Sequence, residues 1–276
     1  MRYLGISRAV KFSPNRVAGD AAVFHAVVSE LERHGEEVIC MTEEELLQTG
    51  LPDGVDGIFQ MVRSRDALKL LQQADVPVIN TVQAVLNCGR AAQVELLRDS
   101  GLMPESRICS TAEVPEGWNM FPCWIKRADS HAVEEDDVQF VPYAAVCADA
   151  MRCFAGRGLD ECVLQNHVKG WLVKFYGVRG FGITDCYAST GKDGKFGLEQ
   201  HNDMPDTACV DRDSLTAAAE RASGILGVDV YGGDAVVGDK GKITIIDFND
   251  WPSFRTCTVG AAERIAELIL KKTHVR

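Results

Sequence analysis

The sequence predicts an α/β and α+β protein, with an N-terminal parallel-sheet α/β domain followed by a two-lobed region whose sheets are mostly antiparallel. Three observations predict it. Over residues 1–81 short apolar runs alternate with stretches of helical spacing, the pattern of βα units on a parallel sheet. Beyond Gly101 and Pro104 the runs shorten and follow one another directly before a helix, a layout that suggests a small α+β module. The chain then closes on an apolar hairpin and an amphipathic helix.

Taken in order, residues 2–7 read as a strand, and 20–34 show helical spacing of Ala22, Val23, Ala26, Val27 and Leu31 closed by Gly35, a C-cap signal. Residues 38–41, 57–62 and 76–80 read as further strands, with a helical stretch at 64–73. A single helical run is expected over 82–100, carrying Arg90. Strands follow at 107–109, 123–126 and 138–141, with a helix at 143–154. Strand-like runs come next at 163–165, 172–178, 183–189 and 196–198, then a helix at 214–226 that Asp213 or Ser214 would cap. A hairpin over 233–248 and a helix near 261–271 end the chain, with no internal repeat or low-complexity linker.

At 276 residues and 46% hydrophobic content the chain can bury a large core. Its net charge of −11 argues against a nucleic-acid partner, which demands a dense Lys/Arg surface. No apolar run approaches the roughly 20 residues that cross a bilayer, so no membrane span is expected. The ten cysteines form no C-x-x-C pair and follow no signal peptide, which predicts free thiols and a cytoplasmic location. The six histidines are spread out, and G-x-G-x-x-G, P-loop, H-E-x-x-H and G-x-S-x-G motifs are absent, leaving a dinucleotide fold, a zinc site or a hydrolytic triad without support.

Chemistry concentrates in the terminal hairpin. With its turn at 239–242, Asp234 opposes Asp247, and Asn249 shares the face of Asp247 because strand side chains alternate. Facing carboxylates repel unless a cation lies between them, and oxygen ligands on rigid strands suit Mg²⁺. From spacing alone the pattern fits a magnesium site and a solvated hairpin edge equally well.

These residues resemble the ATP-grasp superfamily, whose final strand carries an acidic-x-Asn motif followed by proline, here Asp247-Phe248-Asn249-Asp250-Trp251-Pro252. The helix, turn and strand ending in Asp234, the stretch Gln165-Asn166-His167-Val168, and Pro122-Cys123-Trp124-Ile125-Lys126 are similar to its first metal strand, adenine hinge and lysine strand. The resemblance covers about residues 80–276 with specific motifs. It implies an ATP-grasp domain over 82–276, with 105–165 as a small lid sub-domain, after a preceding α/β domain over 1–81. It further implies ATP and Mg²⁺ as cofactors. Asp234, Asp247 and Asn249 would hold metal, Lys126 and Lys174 would neutralise phosphates, and Gln165 with the backbone of Asn166, His167 and Val168 would receive adenine.

The sequence also departs from the family. Its phosphate-covering loop is normally glycine-rich, whereas residues 127–135 contain no glycine. Ser130-His131 and Lys174-Phe175-Tyr176 instead resemble inositol-trisphosphate kinases of the same superfamily, which implies that His131 would donate a hydrogen bond to a phosphate. Ser253-Phe254-Arg255 replaces the glycine common after the family's proline, and Ser253 and Arg255 are expected to read a carboxylate or phosphate, with Arg16 a further substrate contact. The expected activity is a carboxylate–amine or carboxylate–thiol ligase acting through an acyl phosphate. A polyol or inositol phosphate kinase and a non-catalytic nucleotide-binding module remain alternatives. The expected partner is a small-molecule carboxylate or phosphorylated compound, with a homodimer left open.

Overall fold

The computed structural model describes residues 1–13, 16–129, 134–189, 201–203 and 210–274. Three four-stranded sheets organise them. The first comprises β1 (Arg2–Ser7), β2 (Glu37–Thr42), β3 (Gly57–Gln60) and β4 (Val78–Ile79), in the order β2-β1-β3-β4. Every pairing in it is parallel. Helices α1 (Val17–Arg33), α2 (Glu43–Thr49) and α3 (Arg65–Leu71) make its crossovers.

The sequence reading overlooked α2, whose buried face offers little beyond Leu46. Its start is fixed instead by a capping box, in which Thr42 and Glu45 satisfy each other's backbone N–H groups. The single helix expected over 82–100 is two helices, α4 (Val82–Asn87) and α5 (Arg90–Leu97). They break at Gly89, where the backbone runs so near Asp129 that an added Cβ would lie 3.3 Å from its carbonyl oxygen.

The second sheet contains β5 (Ser106–Ser110), β6 (Cys123–Arg127), β7 (Val138–Val141) and β8 (Glu161–Asn166), ordered β5-β8-β6-β7 and antiparallel throughout. Helix α6 (Ala144–Gly156) covers it through Cys147, Ala150, Met151 and Phe154. The third sheet, also antiparallel, orders β9 (Trp171–Val178), β10 (Gly182–Ala188), β11 (Val230–Val237) and β12 (Ile243–Asp250) as β10-β9-β11-β12. Helix α7 (Arg212–Leu226) buries Leu215, Ala219, Ala222 and Leu226 against its apolar face, beside Phe175, Tyr231 and Phe248. The strand expected at 196–198 lies outside the described residues.

The last helix, α8 (Thr258–Thr273), returns to the first sheet. Its Ile265, Ala266 and Ile269 share one core with Tyr3, Val27, Leu31 and Phe59, and with Trp251 and Phe254 beyond β12. Fully burying such a side chain contributes about 1.5–3 kcal/mol, so this shared core holds the first and third sheets in a fixed relation.

A buried amide chain reinforces that relation. Gln60 donates to the Asn80 carbonyl at 2.7 Å, Asn80 Nδ2 donates to the Val230 carbonyl at 2.8 Å, and Asn80 Oδ1 accepts from the Asp229 and Val230 amides at 2.8 Å each. Asn80→Ala strands these groups away from water, and each orphaned buried partner costs about 1–3 kcal/mol. We expect a net loss of about 2–3 kcal/mol, read as a lowered urea midpoint. A midpoint equal to that of the unaltered chain would show that water replaces the amide.

Candidate active site

The third sheet presents a polar row. Tyr187, Lys174, Asp234 and Asp247 are successive partners across β10, β9, β11 and β12. Lys174 Nζ lies 3.0 Å from Asp234 Oδ1. Alternation places Asn249 on the face of Asp247 and turns Phe248 into the core. Tyr176, two residues from Lys174 on the same face, is 3.1 Å from the Tyr187 hydroxyl. Burial pushes its phenol pKa well up, so it acts as a neutral hydrogen-bonding group. Close packing below this row requires glycine: a Cβ on Gly233 would stand 2.5 Å from the Asp247 carbonyl oxygen.

The pairing of Asp234 with Asp247 depends on a bulge. The ladder runs Val237–Ile243, Val236–Thr244, Ala235–Ile245 and then jumps to Asp234–Asp247, leaving Ile246 as the extra residue. The carbonyl of Ile246 accepts a 2.9 Å hydrogen bond from Lys126 Nζ. Lys126 is also held by Gln165 Oε1 at 2.7 Å, and Gln165 is anchored in turn to Ser106 Oγ at 3.2 Å. Gln165 therefore positions the lysine.

Two residues of α5 complete the cleft, and the motif reading assigned neither a role. Arg90 Nη2 approaches Asp247 Oδ2 at 3.7 Å. Gln93 accepts from the Phe248 amide at 3.1 Å and donates to its carbonyl at 2.9 Å, covering the open edge of β12 as a strand would. Their signal was present in the helical face itself: Arg90, Gln93, Val94 and Leu97 fall at i, i+3, i+4 and i+7 and are all buried. Two polar side chains on a core-facing stripe need partners beyond their own helix.

At the far end of β8, the amides of Asn166 and His167 donate to the carbonyls of Glu105 and Pro122. Trp124, on the Lys126 face of β6, donates its indole N–H to His167 Nδ1 at 3.1 Å. Phe140 and His201 stack beside it with centroids 4.0 Å apart. Burial, then His201, lowers the His167 pKa, so this wall is aromatic and uncharged at neutral pH. Val168 follows, half-buried. Ser130 and His131 lie outside the described residues.

The turn after β12 carries the remaining residues. Arg255 is exposed and close enough to Tyr176 for its charge to oppose, slightly, the rise of the Tyr176 pKa. Ser253 packs on the start of α1, where a Cβ on Gly19 would lie 3.3 Å from its Cβ. Arg16 is the N-cap of α1, one turn earlier. Among the described residues, no group of three or more His, Cys, Asp or Glu side chains could hold a metal ion. Any cation here would be shared between the two carboxylates, the Asn249 amide and a ligand's own oxygens.

No protein-family model matches the sequence, and no curated protein matches it. Solved structures do. The chain superposes on D-alanine–D-alanine ligase from Bacillus anthracis complexed with ATP with a TM-score of 0.72 at 12% identity, covering 99% of this chain and 97% of that one. A RimK domain ATP-grasp protein from Sphaerobacter thermophilus matches with a TM-score of 0.67 at 17% identity, over 98% and 100% of the two chains. The chain has the ATP-grasp fold. A D-alanine–D-alanine ligase from Coxiella burnetii shares it, with a TM-score of 0.70, 11% identity and 99% and 96% coverage. Among the described residues, no helix is long and apolar enough to cross a membrane.

Within this ATP-grasp cleft, Lys126 has a strongly perturbed charge. Burial lowers its pKa to about 8, against the opposing pull of Asp247. In a phosphate-binding role the protonated amine would be the attracting form, so affinity for ATP would be full well below pH 8 and decline as pH rises through it. Lys126→Arg, charged to about pH 12, is expected to flatten this decline. An ATP affinity of the unaltered chain that stays constant from pH 7 to 9.5 would remove Lys126 from phosphate binding.

Proposed function

We propose that the chain is a Mg²⁺- and ATP-dependent ligase that joins a small-molecule carboxylate to an amine or thiol through an acyl phosphate. The observation that carries this reading is the facing pair Asp234–Asp247, flanked by Lys174, Arg90 and Lys126 in a cleft of ATP-grasp fold. Three cations against two carboxylates suit a polyanion that brings its own metal. The D-alanine–D-alanine ligases of matching fold support the same reading.

In this reading the aromatic wall of Trp124, Phe140 and His167 receives the base. With the Asn166 and His167 amides already engaged, the Val168 backbone contributes hydrogen bonding. Lys126 and Lys174 neutralise phosphate oxygens, and Asp234, Asp247 and Asn249 hold Mg²⁺, which supplies positive charge for phosphoryl transfer. The substrate carboxylate oxygen attacks the γ-phosphorus, the bond to ADP breaks, and the amine or thiol then displaces phosphate from the acyl carbon. Arg255 and Ser253 read the carboxylate-bearing substrate, beside the Tyr176–Tyr187 pair. The work of the site is charge placement and positioning, which such transfers need most.

The test follows the label of γ-labelled Mg-ATP incubated with the protein and a fractionated metabolite extract. Free phosphate together with a condensed product supports the ligase. Label retained in a stable organic phosphate replaces it with a kinase, and tight binding without turnover replaces it with a nucleotide-binding module.

A further inference from the structure

The second sheet gathers four cysteines against α6. Cys109 of β5 and Cys162 of β8 face each other across the ladder, and their sulfurs lie 3.5 Å apart. Cys123 of β6 and Cys147 of α6 belong to the same apolar cluster and are hydrogen-bonded to one another. Of these four, Cys123, Cys147 and Cys162 are buried and Cys109 is half-buried.

The two facing thiols differ in character. The two sulfurs share a hydrogen bond that either can donate, and Cys109 Sγ also donates to the Cys162 carbonyl at 3.8 Å; the contact between the sulfurs lowers the Cys109 pKa, and the same contact together with burial pushes Cys162 up. A reachable sulfur that ionises readily beside a protonated partner combines a nucleophile with a resolving thiol.

We propose that Cys109 and Cys162 form a peroxide-reactive dithiol, a modification site in which a small hydroperoxide oxidises Cys109 and Cys162 closes the disulfide. The Cys109 thiolate attacks one peroxide oxygen and the O–O bond breaks. Hydroxide, or the corresponding alkoxide, leaves and takes up a proton. The Cys162 sulfur then displaces hydroxide from the Cys109 sulfenic acid, and its proton goes to that hydroxide as water. Two thiols lose two electrons and the peroxide gains them.

Facing strand residues have Cβ atoms about 4.5–5.5 Å apart, and a disulfide takes about 3.5–4.5 Å. Closure therefore asks for a strand shift of about 1 Å. It acts on β8, which three residues later carries Gln165, the partner of Lys126. The disulfide itself does not depend on the ligase reading.

The whole chain, folded, is treated with stoichiometric hydrogen peroxide, alkylated, unfolded and digested for mass spectrometry. The expected result is a Cys109–Cys162 linked peptide, lighter by two hydrogens and released by dithiothreitol, with Cys123 and Cys147 recovered as free thiols. Cys162→Ser should leave a Cys109 sulfenic acid that dimedone traps, and Cys109→Ser should abolish both products. Oxidation confined to the exposed Cys40 and Cys153, or a Cys123–Cys147 link in its place, would overturn the proposal.

Discussion

Asp247→Asn is expected to lower the rate of ATP turnover by about a hundredfold to a thousandfold, the usual cost of removing one preorganised electrostatic group, while leaving the fold intact. The substitution keeps the shape and hydrogen-bonding capacity of the side chain, removing only its charge. Asp247 stands opposite Asp234 and 3.7 Å from Arg90. Losing the charge therefore tips an already cationic cleft further positive and removes a carboxylate that would share the metal. Nucleotide affinity measured without Mg²⁺ should hold or rise, whereas Mg²⁺-dependent affinity and turnover should fall together. Full turnover by a folded Asp247→Asn protein would sink the metal role, and loss of the circular-dichroism signature would convict the substitution of a structural effect.

That site was partly legible because strand alternation and a turn between two apolar runs are local patterns. The facing of Asp234 and Asp247 follows from them only with the bulge at Ile246. An unbroken ladder continuing from Val237–Ile243 would set Ile246 opposite Asp234. Nothing in the run Ile243-Thr244-Ile245-Ile246 marks a bulge, since the group that takes the freed carbonyl is Lys126, 120 residues away. Gln165 shows the converse. Its place near the end of a strand was readable, but its task is set by a lysine on the neighbouring strand. The split between α4 and α5 had a local sign in Gly89, outweighed in the reading by continuous helical spacing on both sides. Arginines that end strands normally read as solvated flanks, so Arg8 and Arg63, just beyond β1 and β3, gave no hint of burial.

Those two arginines carry the second large effect. Arg63 Nη1 lies 2.6 Å from Asp250 Oδ2, and Nη2 donates to the Asp250 carbonyl at 3.0 Å. Arg8 donates to the Trp251 carbonyl at 2.7 Å and pairs with Asp20 at 2.9 Å. Burial, followed by the neighbouring Arg63 charge, lowers the Arg8 pKa to about 10. Asp250, only 1% exposed, ends the strand that bears Asp247 and Asn249. Arg63→Met would leave that carboxylate buried without its hydrogen-bonded cation, with only the more distant charge of Arg8 facing it, and breaking one side of a buried pair costs about 3–5 kcal/mol. The expected result is a markedly lower urea midpoint together with weaker Mg-ATP binding, because the end of β12 loses its tie to the first sheet. Arg63→Met combined with Asp250→Leu should recover most of the stability, since two apolar side chains leave no charge to desolvate. Recovery of stability without recovery of nucleotide affinity would assign the ion pair to placing β12. A single variant within about 1 kcal/mol of the unaltered chain would mean that water reaches Asp250 once the arginine is gone.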